Sequence, residues 1–190
     1  MRIIAGKYKG RNLLPPKNLP VRPTTDFART GLFNLLSTRI ELENCDCLDL
    51  FTGTGAISFE LASRGCKSVV SVDRHDGCIN FIKSMSKTLN ETVIRAVKSD
   101  VSKFLLGCNQ KFDLIFADPP FDINYRNDLH KLVFEYDLLN SGGFLVVEHP
   151  SRESMEQLSN FEFARAYGNV GFSFFRKFED NTSLPIASID

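Results

Sequence analysis

Asp49-Leu50-Phe51-Thr52-Gly53-Thr54-Gly55 runs from a short apolar strand into Ala56-Ile57-Ser58-Phe59-Glu60, and the class of fold turns on it. Gly53 and Gly55 permit a tight turn and a close approach of backbone to a ligand. A dinucleotide-binding loop needs a third glycine three residues after the second, where this chain has Ser58. Asp49 would sit poorly beside phosphates. It suits a cationic ligand instead, such as a sulfonium that also carries an amino-acid ammonium. The bland alternative is a glycine turn that does no more than start a helix.

Short apolar runs and helical stretches alternate after this loop. Strands are expected at Cys47–Phe51, Ser68–Asp73, Thr92–Val97, Phe112–Ala117 and Gly143–Glu148, with helices near 56–64, 75–89, 100–107 and 127–138. Strands buried on both faces with helices between them predict an α/β, doubly wound, mostly parallel sheet. Phe161–Tyr167 and Val170–Phe178, joined around Gly168-Asn169, add an antiparallel hairpin and bring the sheet to about seven strands. Before the sheet, two short strands around Gly6 read as a small β-hairpin. Thr24-Thr25-Asp26 then reads as the start of a helix that carries Leu32, Leu35, Leu36 and Ile40.

The chain has 190 residues, 43% hydrophobic and 24% charged, which is enough for one domain with its own core and a small appendage. No run approaches the length of a membrane span, and the first residues lack the apolar core of a signal peptide. The five cysteines show no zinc spacing and read as reduced thiols of a cytoplasmic protein, with no metal expected. Formal net charge is zero, but residues 1–30 carry Arg2, Lys7, Lys9, Arg11, Lys17, Arg22 and Arg29 against Asp26 alone. A basic arm on an acidic body points to a polyanion, although a solvated surface hairpin would look the same.

Open α/β sheets bind ligands at the carboxyl ends of their strands, so the residue after each strand carries weight. Asp73 ends the second strand and can take both hydroxyls of a ribose. Asp100 follows the third strand, where it either caps the next helix or lies near an adenine amine. Asp118-Pro119-Pro120-Phe121 follows the fourth. Its prolines fix the backbone so that one carboxylate and the Pro119 carbonyl can both accept from an exocyclic amine, with Phe121 stacked on the base. A base in a duplex cannot reach such a pocket and must be unpaired or flipped. A rigid loop with an exposed aromatic is the alternative without function.

Together these residues resemble a class I, Rossmann-like methyltransferase that uses S-adenosylmethionine. Arg2-Ile3-Ile4-Ala5-Gly6-Lys7-Tyr8-Lys9-Gly10-Arg11, Arg22-Pro23-Thr24-Thr25-Asp26, Leu32-Phe33-Asn34 and Ser63-Arg64-Gly65 narrow the resemblance to the RsmD family over roughly residues 2–178. That family methylates the N2 amine of one guanine in 16S ribosomal RNA, free or within an assembling small subunit. The resemblance implies cofactor contacts at Asp49, Phe51, Gly53, Gly55, Asp73, Asp100 and Thr24. It implies an amine-holding, catalytic role for Asp118, Pro119, Pro120 and Phe121, and RNA contacts for Arg2, Lys7, Lys9, Arg11 and Arg22. It divides the chain into a basic arm and linker at 1–25, the catalytic domain at 26–178 and a polar tail at 179–190, with nothing that demands more than a monomer. Gly31 departs from the family's pattern and weakens the first helix. Adenine-N6 or cytosine-N4 methylation, or an RNA-binding assembly factor on the same fold, are the competing expectations.

Overall fold

A computed structural model describes residues 1–16, 19, 25–120 and 123–178. The elements are α1 (Asp26–Leu36), β1 (Asp46–Leu50), α2 (Ala56–Ser63), β2 (Ser68–Asp73), α3 (Asp76–Leu89) and β3 (Ile94–Lys98), then α4 (Val101–Leu106), β4 (Phe112–Ala117), α5 (Ile123–Glu135), β5 (Leu139–Pro150), β6 (Phe161–Tyr167) and β7 (Val170–Arg176). One seven-stranded sheet runs β3-β2-β1-β4-β5-β7-β6. β1 to β5 are parallel, and β7 lies antiparallel to both β5 and β6. The expected architecture is the one observed. Among the described residues no helix is long and apolar enough to cross a membrane, and no cluster of His, Cys, Asp and Glu could hold a metal ion.

Alternation along the strands builds two cores. Cys47, Val69, Leu114, Phe116, Phe144 and Val146 face α1 and α2. Leu48, Leu50, Val70, Val72, Ile115, Leu145 and Val147 face the other way, toward α4 and α5. The chain moves one way from β1 to β3 and then crosses to β4, so the strand order reverses between β1 and β4. A ligand crevice opens at the carboxyl ends of such a pair.

Several expected boundaries move, each for a local reason. β3 begins at Ile94 and not Thr92, because the Glu91 carboxylate takes the Val93 N–H at 2.9 Å. β5 starts four residues before Gly143. Asn140 to Gly143 bulge out of register with β4, and the Asn140 amide donates to Asp113 at 2.8 Å. α1 stops at Leu36 because the Ser37 and Thr38 hydroxyls bond back to the Phe33 and Leu35 carbonyls, leaving Ile40 outside the helix. Its N-cap is Thr25, whose hydroxyl takes the Ala28 N–H at 3.2 Å.

Gly31 does not break α1. A glycine inside a helix costs about 1 kcal/mol against alanine, but here a Cβ would lie 2.2 Å from the Tyr167 ring. The missing side chain is what lets α1 and the end of β6 meet.

The arm at the amino terminus pairs its two limbs antiparallel, as the expected hairpin would, but neither limb forms a regular strand. Arg2 and Asn12 make an isolated bridge, Met1 and Leu13 exchange backbone hydrogen bonds at 2.8 and 3.0 Å, the Ile3 N–H donates to the Arg11 carbonyl at 3.0 Å, and the chain turns through Gly6 and Gly10. The arm is also bound to α2. Glu60 accepts the Ile4 and Ala5 N–H groups at 2.7 and 3.0 Å, the Ser63 hydroxyl takes the Tyr8 N–H at 2.9 Å, and the Ser63 carbonyl takes the Lys7 N–H at 2.8 Å. Gly6, at φ +79°, lies so close that a Cβ would fall 1.8 Å from the Ser63 carbonyl oxygen. Ile3 and Leu13 complete a third core with Phe59, Phe81, Ile82 and Leu89.

Candidate active site

Asp49 projects from β1 toward α2, opposite Ser71 on β2 and Phe116 on β4. It is fully buried, and one carboxylate oxygen, Oδ2, collects three donors. These are the Thr52 hydroxyl at 2.7 Å, the Ser58 N–H at 3.0 Å and the Ser58 hydroxyl at 2.5 Å. The Ser71 hydroxyl lies 2.6 Å from that of Ser58. Burial lifts the Asp49 carboxyl to about 6; the Ser58 and Thr52 donors oppose this and the Asp73 charge adds to it. Sequence reasoning saw Ser58 only as a glycine that was missing. Its partnership with Asp49, and that of Ser71, could be found only once the strand register was known.

The turn between β1 and α2 is held in the left-handed region at three successive odd positions, with φ +60° at Phe51, +52° at Gly53 and +74° at Gly55. That conformation costs a non-glycine residue about 1–2 kcal/mol. Phe51 meets Tyr125 of α5 edge-on, with ring centroids 5.7 Å apart. Thr54 is buried, and the Met1 sulfur lies 3.4 Å from its hydroxyl, so the arm reaches across to the loop.

Asp73 fastens this loop to the end of β2, one oxygen taking the Gly53 N–H at 2.9 Å and the other the His75 N–H at 2.8 Å. Asp100 caps α4, accepting the Lys103 N–H at 3.1 Å, and its side chain is exposed. Both carboxylates are therefore partnered by backbone at the positions where ribose and adenine contacts are expected, and each oxygen keeps a further acceptor lone pair.

Asp118 lies directly after β4, its N–H aimed at the Leu50 carbonyl at 3.4 Å, which sets it beside Asp49. Burial and then the Asp49 charge raise the Asp118 carboxyl to about 7. Pro119 is buried and Pro120 exposed. Neither Pro119 nor Pro120 has an N–H by which this stretch could be tied. A donor from α5 takes over that task, for the buried Arg126 guanidinium reaches the Pro120 carbonyl at 3.5 Å and pairs with Glu153 beyond β5. Phe121, Arg22 and Thr24 lie outside the described residues.

The basic arm is less free than its charge suggests. Arg29, counted with it, is 1% exposed and donates to Asp26 and to the Arg2 carbonyl, so it is a structural cation. Lys7 lies 2.8 Å from Glu91. Burial pushes Glu91 up, but Lys7 and the Val93 N–H hold it below its ordinary range, and the same ion pair raises Lys7. Arg2, Lys9 and Arg11 keep exposed side chains.

A glycine turn after β1, acidic residues after β2 and β3, and an Asp-Pro-Pro loop after β4, on a sheet closed by an antiparallel hairpin, define the class I methyltransferase fold. Comparison with known proteins agrees. The family model described as "Conserved hypothetical protein 95" matches residues 1–176. "Putative rRNA methyltransferase YlbH" of Bacillus subtilis (strain 168) is 33% identical over 184 residues, covering 93% of this chain and 99% of that protein. "Ribosomal RNA small subunit methyltransferase D" of Escherichia coli (strain K12) is 34% identical over 148 residues, 78% of this chain and 71% of that one. Among solved structures, "Putative methyltransferase yhhF" of Escherichia coli superposes with a TM-score of 0.81 at 26% identity, covering 94% of this chain and 98% of the other. The chain belongs to this family, the RsmD family that its amino-terminal motifs resemble.

Proposed function

We propose that the protein is an S-adenosylmethionine-dependent methyltransferase of small-subunit ribosomal RNA, and that it modifies the N2 amine of a guanine. One observation carries the reading. The ends of β1 and β4, neighbours in the sheet, bring a glycine turn with a buried carboxylate next to a second carboxylate on a proline-fixed loop. Similarity to rRNA methyltransferases supports the RNA class, and the family resemblance supports the guanine.

The residues suit the cofactor. Asp49 and Asp118 are two acids in one crevice, both held above the usual carboxylate range by burial with the charge of a neighbouring acid adding to it, and a bound positive charge would offset this. A ligand with a sulfonium and an ammonium supplies that charge, and the turn at Gly53 and Gly55 leaves room for its close approach. When bound, S-adenosylmethionine provides an electrophilic methyl group. Asp49 stabilises positive charge at the turn, with Ser58 and Thr52 fixing its orientation. Asp73 and Asp100 offer their remaining lone pairs to ribose and adenine.

The Asp118 carboxylate and the Pro119 carbonyl accept the two N–H donors of the target amine. This draws the nitrogen lone pair out of conjugation with the base and fixes its direction. Catalysis is then mainly orientation and electrostatics. The amine becomes cationic and strongly acidic on methylation, and its proton passes to Asp118 or water.

Purified protein with radiolabelled S-adenosylmethionine and unmethylated small subunits tests the reading. Labelled N2-methylguanosine that disappears in Asp118→Ala is the expected result. Label on adenine or cytosine overturns the guanine assignment, and no transfer to any RNA overturns methyltransferase activity.

A further inference from the structure

One aromatic pair at the edge of the molecule takes no part in the site described above. Phe27, in the first turn of α1, is 68% exposed, yet its ring is fixed. The Tyr167 ring stands against it with centroids 5.8 Å apart and planes at 81°. Tyr167 is itself braced, lying over Gly31 on one side and 6.1 Å from the Phe172 ring on another. α1 therefore gives up a side chain in mid-helix to seat a tyrosine that holds an exposed phenylalanine.

The strand order says where this pair stands. Pro150, the last residue of β5, pairs with Val170, the first of β7, so the β6–β7 turn lies at the carboxyl end of β5. The loops after β1, β2 and β4 open at that same end. Phe27 and Tyr167 thus lie at the same end of the sheet as Asp49 and Asp118, at its β6 edge, three strands or about 14 Å from β4. Exposed cations lie on the neighbouring segments. Arg165 is two positions before Tyr167 on the same side of β6, with its guanidinium over the Phe163 ring. Arg2, also exposed, is joined through its carbonyl and Arg29 to Asp26, beside Phe27. An exposed ring braced by a tyrosine, with exposed arginines on the same strand as that tyrosine and on the neighbouring arm, fits single-stranded RNA, whose bases stack on aromatic faces while its phosphates take the charges.

We propose that Phe27, braced by Tyr167, is a stacking platform for an unpaired base of the same RNA, a few nucleotides from the methylated one. This rests on the RNA methyltransferase reading and adds a binding element to it. The chain contains no tryptophan, so Phe27→Trp creates a single reporter. Titration with a single-stranded 16S-derived oligonucleotide should quench its emission to saturation. Phe178→Trp, at the exposed opposite end of β7, should keep its emission. With unmethylated small subunits, Phe27→Ala should raise KM roughly tenfold, the scale of one missing base stack. It should leave kcat at saturation, cofactor affinity and the slope of log K against log salt as in the wild type, because the ring carries no charge.

Emission from Phe27→Trp that RNA does not change, or a wild-type KM in Phe27→Ala, overturns the platform. A self-association of the wild type that Phe27→Ala abolishes, with KM unchanged, overturns it in favour of pairing between copies. The two readings fail separately. Absence of methyl transfer by the wild type sinks the enzyme assignment, whereas active wild type with an indifferent Phe27→Ala sinks only the platform.

Discussion

Asp118 stands beside Asp49 across the β1–β4 pair, and burial together with the Asp49 charge lifts its carboxyl to about 7. An unfolded chain would titrate the same group near its ordinary value of 3.8. Between the two values the native state holds more protons than the unfolded one, so this group's contribution to stability falls as pH rises from about 4 to 7. Asp118→Asn removes that cost. Its Tm should exceed the wild type's at pH 8 by roughly 2–4 °C for each kcal/mol relieved, and the difference should close toward pH 4. Thermal melts of the cofactor-free protein at both values check this. Equal Tm values at pH 8 would mean that the pair bears no such cost.

The same titration governs activity. In the proposed mechanism the ionised Asp118 carboxylate is the strong acceptor for the amine, so kcat/KM should rise through about pH 7 in the free enzyme. Bound sulfonium stabilises the carboxylate, which moves the midpoint of kcat to lower pH. Coinciding midpoints in the two profiles would argue against electrostatic coupling between cofactor and Asp118.

Ser58 gives Asp49 both an N–H and a hydroxyl. Ser58→Ala keeps the first and removes the second from a fully buried carboxylate, a loss of about 1–3 kcal/mol. Denaturant melts should report that drop, and calorimetry should report weaker cofactor binding. Wild-type stability in Ser58→Ala would show that the Thr52 hydroxyl and the residue 58 N–H suffice.

Much of this was legible from the chain and some was not, and the division has a physical basis. Apolar runs and the glycine turn announced the sheet because period and turn chemistry are local properties. Acids after strands announced the crevice for the same reason. The role of Gly31 could not be read, since its justification is a Tyr167 ring 136 positions away in sequence. Arg29 and Lys7 looked like two more charges of the arm, and only the folded chain shows one buried against Asp26 and the other paired with Glu91. Arg126 gave no signal at all, because a lone arginine in a polar helix does not reveal that it holds a proline carbonyl.

The Lys7–Glu91 pair sets Lys7 apart from Lys9 and Arg11. Replacing Lys9 and Arg11 should lower the salt dependence of RNA binding, by close to one unit of slope for each phosphate no longer neutralised. Lys7→Gln should change the slope little, because its charge is already answered by Glu91. Filter-binding or anisotropy over a salt series distinguishes them. A full unit of slope removed by Lys7→Gln would place that ammonium on a phosphate and not on Glu91.

Gly6→Ala offers a harsher test of how the arm is mounted. The added Cβ would collide with the Ser63 carbonyl, and the position is left-handed as well. Strain of this kind costs on the order of 1–3 kcal/mol. The arm should come away from α2 and be cut by protease near residues 6–10 while the rest of the domain resists. Protease resistance equal to the wild type's would show that the clamp by Glu60 absorbs the collision.

α2 begins at the Gly53–Gly55 turn and ends at the residues that grip the arm, all within eight residues. Such a helix is a stiff rod about 12 Å long. In the proposed reading, one end of the rod carries the methyl donor's seat and the other the RNA's handle. Tension applied at either end is felt at the other. The two ligands are then thermodynamically linked, and by reciprocity each changes the other's affinity by the same factor. The strength of that linkage becomes a property of one short helix.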